Sequence, residues 1–304
     1  MTVDGEPKSI GLIVPLYKSW THISAISKYV NYLSSEIGGR VTVTFVVDGC
    51  VRSEKELREN IEKFRCPVRL VVLSRNFGVG PALRAAMSRQ SEEFSVAFGS
   101  DLQEPAELFI EFAEQLLTGD YDFVFGQRIN RDDPFLTRLF SNLYWYLNRK
   151  LIFKDCPPGG FDVYGCNTVA REALVNLSEN RTNITSQMLW LGFRRKFIPF
   201  DRVSRFDGKS TWTFRKKVGL FIDSLVGFST TFFKVGLIQI VTSPLIMFFA
   251  TQFQRYETTL AYIAMAHWLC GSLLIAPYIV RFFAESRTRP TYIIRSEETY
   301  NWGN

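Results

Sequence analysis

Residues 10–17 read Ile-Gly-Leu-Ile-Val-Pro-Leu-Tyr. The run Ile10 to Val14 is short, apolar and rich in β-branched side chains, and Pro15 closes it. That is the pattern of a strand buried on both faces of a sheet. A helix is expected next, from about Thr21 to Glu36, ended by Gly38-Gly39. The alternation then repeats. Strands are expected at Val41–Val47, Val68–Leu73, Ser95–Phe98 and Phe123–Phe125, with helices at Glu54–Phe64, Gly80–Arg89 and Ala106–Leu117 between them. Strands separated by helices in this way predict an α/β domain with a mainly parallel sheet. Such sheets bind ligands outside the carboxyl ends of their strands. The polar clusters fall there: Pro15-Leu16-Tyr17, Asp48-Gly49-Cys50, Ser74 to Gly78, Gly99 to Gln103, and Gly126-Gln127-Arg128.

The 304 residues are 46% hydrophobic and 22% charged, which excludes a long disordered or collagen-like chain. The mean hydropathy of 0.00 averages two unlike parts. Val235 to Val280 carries only two charges, Arg255 and Glu257, where the chain average would place about ten. Val235 to Gln254 and Thr258 to Val280 are each long enough to cross the roughly 30 Å hydrocarbon layer. Pro244 and Pro277 are tolerated within membrane helices, and Arg255-Tyr256-Glu257 leaves room only for a tight link. A hairpin buried in a soluble core is the weaker alternative for two adjacent uncharged runs. Bases precede the pair (Arg215, Lys216, Lys217, Lys234) and follow it (Arg281, Arg287, Arg289, Arg295), so both ends are expected in the cytosol. Three glycosylation sequons, at Asn176, Asn180 and Asn183, then lie on the cytosolic side and read as chance.

The net charge of +6 is diffuse, with no run of five like charges, and argues against a nucleic-acid partner. Five widely spaced cysteines without a CxxC pair suggest neither a disulfide framework nor a zinc site. The N-terminus lacks the architecture of a signal peptide, so the first domain is expected to stay in the cytosol. Phe214 to Phe233 carries bases at one end and Phe221, Leu225 and Phe228 at helical spacing. It reads equally as an amphipathic helix lying in the membrane interface or as one packed on the first domain. The expected division is a cytosolic α/β domain over 1–213, this helix over 214–233, a transmembrane hairpin over 234–283 and a cytosolic tail over 284–304.

Several polar residues admit two readings each. Asp101, after a strand and ahead of Gln103 and Pro105, can hold Mg²⁺ or Mn²⁺, or can cap the following helix. Asp48 is either an Asx-turn residue or an acceptor for a nucleobase or ribose. Arg75-Asn76-Phe77-Gly78 places an arginine at a strand end and a glycine where a helix begins, which builds an anion-facing corner. Arg128 and Arg131 can present two guanidinium forks to one phosphate, or can belong to a solvated face.

The motifs Pro15-Leu-Tyr, Val46-Val-Asp-Gly-Cys, Leu73-Ser-Arg-Asn-Phe-Gly, Ser100-Asp-Leu-Gln-Glu-Pro, Gly126-Gln-Arg-Ile-Asn-Arg, Gly159-Gly-Phe-Asp and Arg205-Phe-Asp-Gly-Lys-Ser occur in one order and spacing. In this the chain resembles the polyprenyl-phosphate glycosyltransferases of glycosyltransferase family 2, over about Ser9 to Arg295. It is similar to dolichol-phosphate mannose synthases and, with two C-terminal membrane helices, to bacterial undecaprenyl-phosphate glucosyltransferases. The resemblance implies a GT-A fold, Mg²⁺ or Mn²⁺, a nucleotide-diphosphate sugar donor (UDP in bacteria) and inverting transfer to polyprenyl phosphate at the inner membrane. Asp101 and Gln103 would then serve the metal and diphosphate, Arg128 and Arg131 the phosphates, and Asp48 the nucleobase. Pro15, Tyr17, Arg75, Asn76, Gly78 and Ser100 would complete the donor site. Arg205, Lys209, Ser210, Lys216 and Lys217 would meet the acceptor phosphate where the cleft reaches the bilayer, and a homo-oligomer is expected. Two departures stand out. Gly99 occupies the place of the family's first metal-associated Asp, and Asp162 follows Gly159-Gly160-Phe161 as a base or a sugar-hydroxyl acceptor. The competing classes are a catalytically silent membrane subunit, which Gly99 keeps in play, and a processive polysaccharide synthase. Against the latter, the nearest match to its QxxRW motif, Gln187-Met-Leu-Trp190, lacks the arginine.

Overall fold

Strand β1 (Ser9–Leu16) lies inside a sheet between two parallel neighbours, β2 (Arg40–Val47) and β4 (Phe94–Ala97), and Ile10 to Val14 are fully covered. The computed structural model describes residues 2–3, 6–129, 143, 145–157, 160–179, 183–203, 214–252, 257–287 and 289–301. β3 (Val68–Leu73) pairs parallel with β2 on its far side. Helices α1 (Ile23–Glu36), α2 (Val51–Glu59), α3 (Val79–Met87) and α4 (Ala106–Leu117) make the crossovers. Alternate residues of β1 feed opposite cores. Leu12 and Val14 pack with Ile26 and Val30 of α1 and Phe109 of α4, whereas Ile13 packs with Ala82 and Ala86 of α3.

Beyond β4 the sheet changes direction. β5 (Phe123–Arg128) does not join β4 directly, because β6 (Phe161–Asn167) inserts between them, antiparallel to both. Helices α5 (Thr168–Val175) and α6 (Ile184–Trp190) follow, and β7 (Arg195–Phe200) pairs parallel with β5 at the edge. The Asn183 side chain accepts from the amide of Thr185 and caps α6, a local reason for an asparagine there.

Helix α7 (Phe214–Phe228) leads into α8 (Thr231–Gln252) and α9 (Glu257–Glu285), two helices long and apolar enough to cross a membrane. They pack closely at Gly236 and Gly271, where a Cβ on either would sit 2.8 or 2.7 Å from the other's carbonyl oxygen. Small residues at such crossings let helix backbones approach in lipid. Ile238, Val241, Phe248, Leu273 and Phe282 are all more than half exposed, which the core hairpin of a soluble protein would not show. Of the expected interfacial residues on α7, Leu225 is buried and Phe228 rests on the Phe153 ring. Ser224 meets Ser186 of α6, and Arg281 of α9 donates to the Asp223 carbonyl at 3.0 Å. Helix α7 therefore packs on the globular domain and on α9, leaving Ile222 exposed.

The segment read as a tail returns to the sheet. Strand β8 (Ile294–Tyr300) pairs antiparallel with β3, giving the order β8-β3-β2-β1-β4-β6-β5-β7 among the described residues. Arg58 of α2 grips it, binding Glu298 through both terminal nitrogens, one at 2.7 Å, and donating to the Tyr300 hydroxyl at 3.0 Å. Arg295 pairs with Glu54, and Arg89 with Glu297 at 3.3 Å.

Candidate active site

Parallel strands β1 to β5 all point their carboxyl ends to one edge of the sheet, and β6, being antiparallel, starts at that edge. Asp48, Ser74 to Gly78, Ser100 to Glu104, Arg128 and Asp162 are brought together by this arrangement alone. Arg202 joins them from the end of β7, whose Phe200 pairs with Arg128.

On one side a corner is held by Asp48. Its two carboxylate oxygens accept the main-chain amides of Phe77 (2.7 Å) and Gly78 (2.9 Å). Asp48 is buried, and burial pushes its pKa above the ordinary carboxylate range despite those amides and the Arg75 charge. Gly49, at φ +67°, lies so close that a Cβ would overlap the Arg75–Asn76 main chain. Asp48 thus welds two strand-end loops into one wall. Arg75 stacks over Phe77 at 4.1 Å and is exposed, as are Asn76 and Tyr17. Gly78 opens helix α3. Pro15 belongs to β1, and the Ser100 hydroxyl lies 2.8 Å from Ser19 while its carbonyl lies 3.1 Å from His22 Nδ1.

On the other side lies an ionic cluster. Asp162 pairs through one oxygen with Arg128 and with Arg202, the latter at 3.4 Å. Arg202 also donates to Glu104 Oε1 at 3.2 Å. Glu104 is 2% exposed, and its Oε2 is buried without a hydrogen-bond partner. Burial raises its pKa above the ordinary value, opposed by Arg202 and assisted by the Asp101 charge. Glu104 lies inside the motif Ser100 to Pro105, which gives it no role, and Arg202 belongs to no motif. The glutamate reads as an acid ahead of a helix N-terminus, and the arginine follows a strand with no strong pattern. Arg131, Arg205, Lys209 and Ser210 lie outside the described residues. For Lys216 and Lys217 the structure places the backbone, in the first turn of α7.

The oxygen donors of Asp101, Gln103 and Glu104 suit a hard divalent cation. No group of three or more His, Cys, Asp or Glu among the described residues could hold one alone. Substrate phosphate oxygens would have to complete the shell, as Mg²⁺ and its relatives commonly require. The orphaned Glu104 oxygen, and the approach of Asp101 Oδ1 and Glu104 Oε2 to one point beside Gly99, are the features that fit such an ion.

The mostly parallel sheet, with the Asp48 wall and a carboxylate–arginine cluster gathered at its strand ends, is a GT-A-like α/β fold. The chain belongs to glycosyl transferase family 2, whose model matches residues 12–177, more than half its length. It is 25% identical over 307 residues to the bactoprenol glucosyl transferase of Shigella phage SfV, covering 95% of this chain and 99% of the relative. It is 24% identical over 304 residues to the undecaprenyl-phosphate 4-deoxy-4-formamido-L-arabinose transferase of Edwardsiella ictaluri, covering 94% and 93%. Its fold is similar to glucosyl-3-phosphoglycerate synthase of Mycobacterium tuberculosis, solved with Mn²⁺, UDP-glucose and phosphoglyceric acid. There the TM-score is 0.51 at 14% identity, covering 72% of this chain and 79% of that one.

Proposed function

We propose that this protein transfers a sugar from a UDP-sugar to polyprenyl phosphate, with inversion, to give a lipid-linked monosaccharide for surface-glycan modification. The reading places it in the bacterial cytoplasmic membrane with the catalytic domain in the cytosol. One observation carries it: the chain leaves the sheet for two apolar helices and then rejoins the same sheet as β8. Two crossings return the chain to the side it left. The strand-end cleft therefore shares its compartment with both ends of the hairpin, and a phosphate anchored at that bilayer surface can reach it. The acceptors named for the phage and Edwardsiella relatives are such lipids.

In this scheme an acceptor phosphate oxygen attacks the anomeric carbon while the bond to the nucleoside diphosphate breaks from the opposite face. The acceptor phosphate, with a second pKa near 6, is already largely ionised at pH 7 and needs no strong general base. Catalysis rests on positioning and charge neutralisation. The Asp48 wall and Arg75 hold the nucleotide, and Arg128, kept in place by Asp162, faces the diphosphate. Asp101, Gln103 and Glu104 would hold Mg²⁺ or Mn²⁺, which supplies positive charge to the leaving diphosphate. A silent sugar-binding subunit is the second reading, favoured by Gly99 alone. The test is incubation of detergent-purified protein with radiolabelled nucleotide sugars, undecaprenyl phosphate and Mn²⁺, followed by lipid extraction. Label in the organic phase is expected for one sugar. Donor binding without lipid label under any condition would establish the silent subunit instead.

A further inference from the structure

Gly99, which ends the approach from β4, has no side chain where the family pattern leads one to expect a carboxylate, and the surrounding atoms show what occupies that place. A Cβ on residue 99 would lie 2.6 Å from Asp101 Oδ1 and 3.8 Å from Glu104 Oε2. Two carboxylate oxygens, from different residues, converge within 4 Å of one point. The backbone brings them there. Leu102 adopts φ +47°, in the left-handed region, and its amide donates to the Gly99 carbonyl, so the chain curls back under residue 99. Glu104 is then fixed at both ends. Its carbonyl accepts from the Tyr29 hydroxyl at 2.8 Å, and its Oε1 accepts from Arg202 at 3.2 Å. Only Oε2 is left over, buried in a residue 2% exposed and without a hydrogen-bond partner.

A glutamate whose task was only to pair with Arg202 would be expected to use both oxygens, since guanidinium and carboxylate match fork to fork. Burying one carboxylate oxygen unsatisfied is costly, and native proteins rarely do it without a ligand in view. We propose that Glu104 supplies the carboxylate that residue 99 lacks, so that Asp101 and Glu104 together form the anionic half of the divalent-cation site. The inference rests on the metal-dependent reading above and extends it to a residue to which its motif gives no role. Gly99 and Glu104 are then complementary. An aspartate at 99 must shift the Asp101 carboxylate, whose Oδ1 lies 2.6 Å from a Cβ there, and with Glu104 neutralised it restores the charge count.

The experiment is Mn²⁺ binding to the full-length protein in detergent, with UDP present, followed by the loss of the free-ion signal in electron paramagnetic resonance. Thermal melting is recorded for each variant. Asp101→Ala and Glu104→Gln are each expected to weaken Mn²⁺ binding at least tenfold. The double variant Gly99→Asp with Glu104→Gln is expected to recover most of the loss. If Glu104→Gln fails to fold, Glu104→Asp replaces it, with the same tenfold loss expected because the shorter arm cannot reach. Parent-like Mn²⁺ binding by Glu104→Gln, alongside loss in Asp101→Ala, overturns the role of Glu104 and leaves the metal-dependent reading standing. Absence of Mn²⁺ binding by the parent with UDP overturns both.

Discussion

Asp162→Asn separates two tasks that one carboxylate could perform at this site. In the structure a single oxygen of Asp162 is shared by Arg128 and Arg202, with side-chain exposures of 33%, 19% and 25% respectively. Pairs exposed to that degree are worth about 1 kcal/mol each, between the surface-pair range and that of buried charged hydrogen bonds. Losing both therefore costs about 2 kcal/mol of arginine orientation, or about thirtyfold in equilibrium at roughly 1.4 kcal/mol per decade. Asparagine keeps the shape but not the charge, so on the proposed mechanism the loss should appear in binding of the donor diphosphate. The expected result is a rise of about thirtyfold in the dissociation constant for the UDP-sugar, measured by calorimetry, with kcat within a few-fold of the parent. A general base would behave otherwise, because its removal lowers the chemical step by about 10²- to 10⁴-fold and leaves donor binding alone. That pattern, found for Asp162→Asn, would refute the positioning argument.

Asp101→Ala should leave a folded protein with activity reduced about a hundredfold or more, since losing one transition-state charge stabiliser costs about 3 kcal/mol; chelation by EDTA should match it. Arg58→Ala should loosen β8 and lower the melting temperature by a few degrees, with faster hydrogen exchange in Val68–Leu73; an unchanged exchange pattern would show the clamp to be idle. The Arg58 hydrogen bond holds the Glu298 pKa down at about 2 against an ordinary 4.5, so the clamp is intact above that ordinary value and is lost as pH falls through about 2. Limited digestion with an acid-active protease should accordingly release the tail near pH 2 and spare it near pH 5. Single cysteines at Lys217 and Arg287 should both resist a membrane-impermeant reagent applied outside intact cells; ready labelling of Lys217→Cys would reverse the orientation. Arg205→Ala should raise the apparent KM for polyprenyl phosphate or lower kcat while donor affinity holds.

The β-α-β core was legible because its strands are buried on both faces and so read as apolar runs, and Val68–Leu73 and Ala106–Leu117 appear at the expected bounds. The later strands carry no such signal. β6 mixes Asp162, Gly165 and Asn167 with its apolar residues, β7 opens on Arg195-Lys196 and contains Pro199, and β8 is Ile-Arg-Ser-Glu-Glu-Thr-Tyr. Each is defined by a partner distant in sequence, which local pattern does not encode. The site shows the same division. Asp48, Arg75 and Asp101 were visible from their place after a strand, although the engagement of both Asp48 oxygens by the next loop was not. Glu104 and Arg202 become significant only once β6 and β7 bring Asp162 and Arg128 alongside them.

Strand β8 also bears on how the protein is made. A chain synthesised from its N-terminus completes β3 more than two hundred residues before β8 emerges, and until then β3 presents an open edge of unpaired amides and carbonyls. On the proposed topology, only a chain that has inserted both α8 and α9 delivers residues 294–300 to the compartment where β3 waits. A chain that crosses once strands its last strand on the wrong side, and its open edge is the kind of surface that proofreading chaperones and proteases engage. On that topology the seven-residue strand β8 makes completion of the sheet conditional on correct threading through the bilayer.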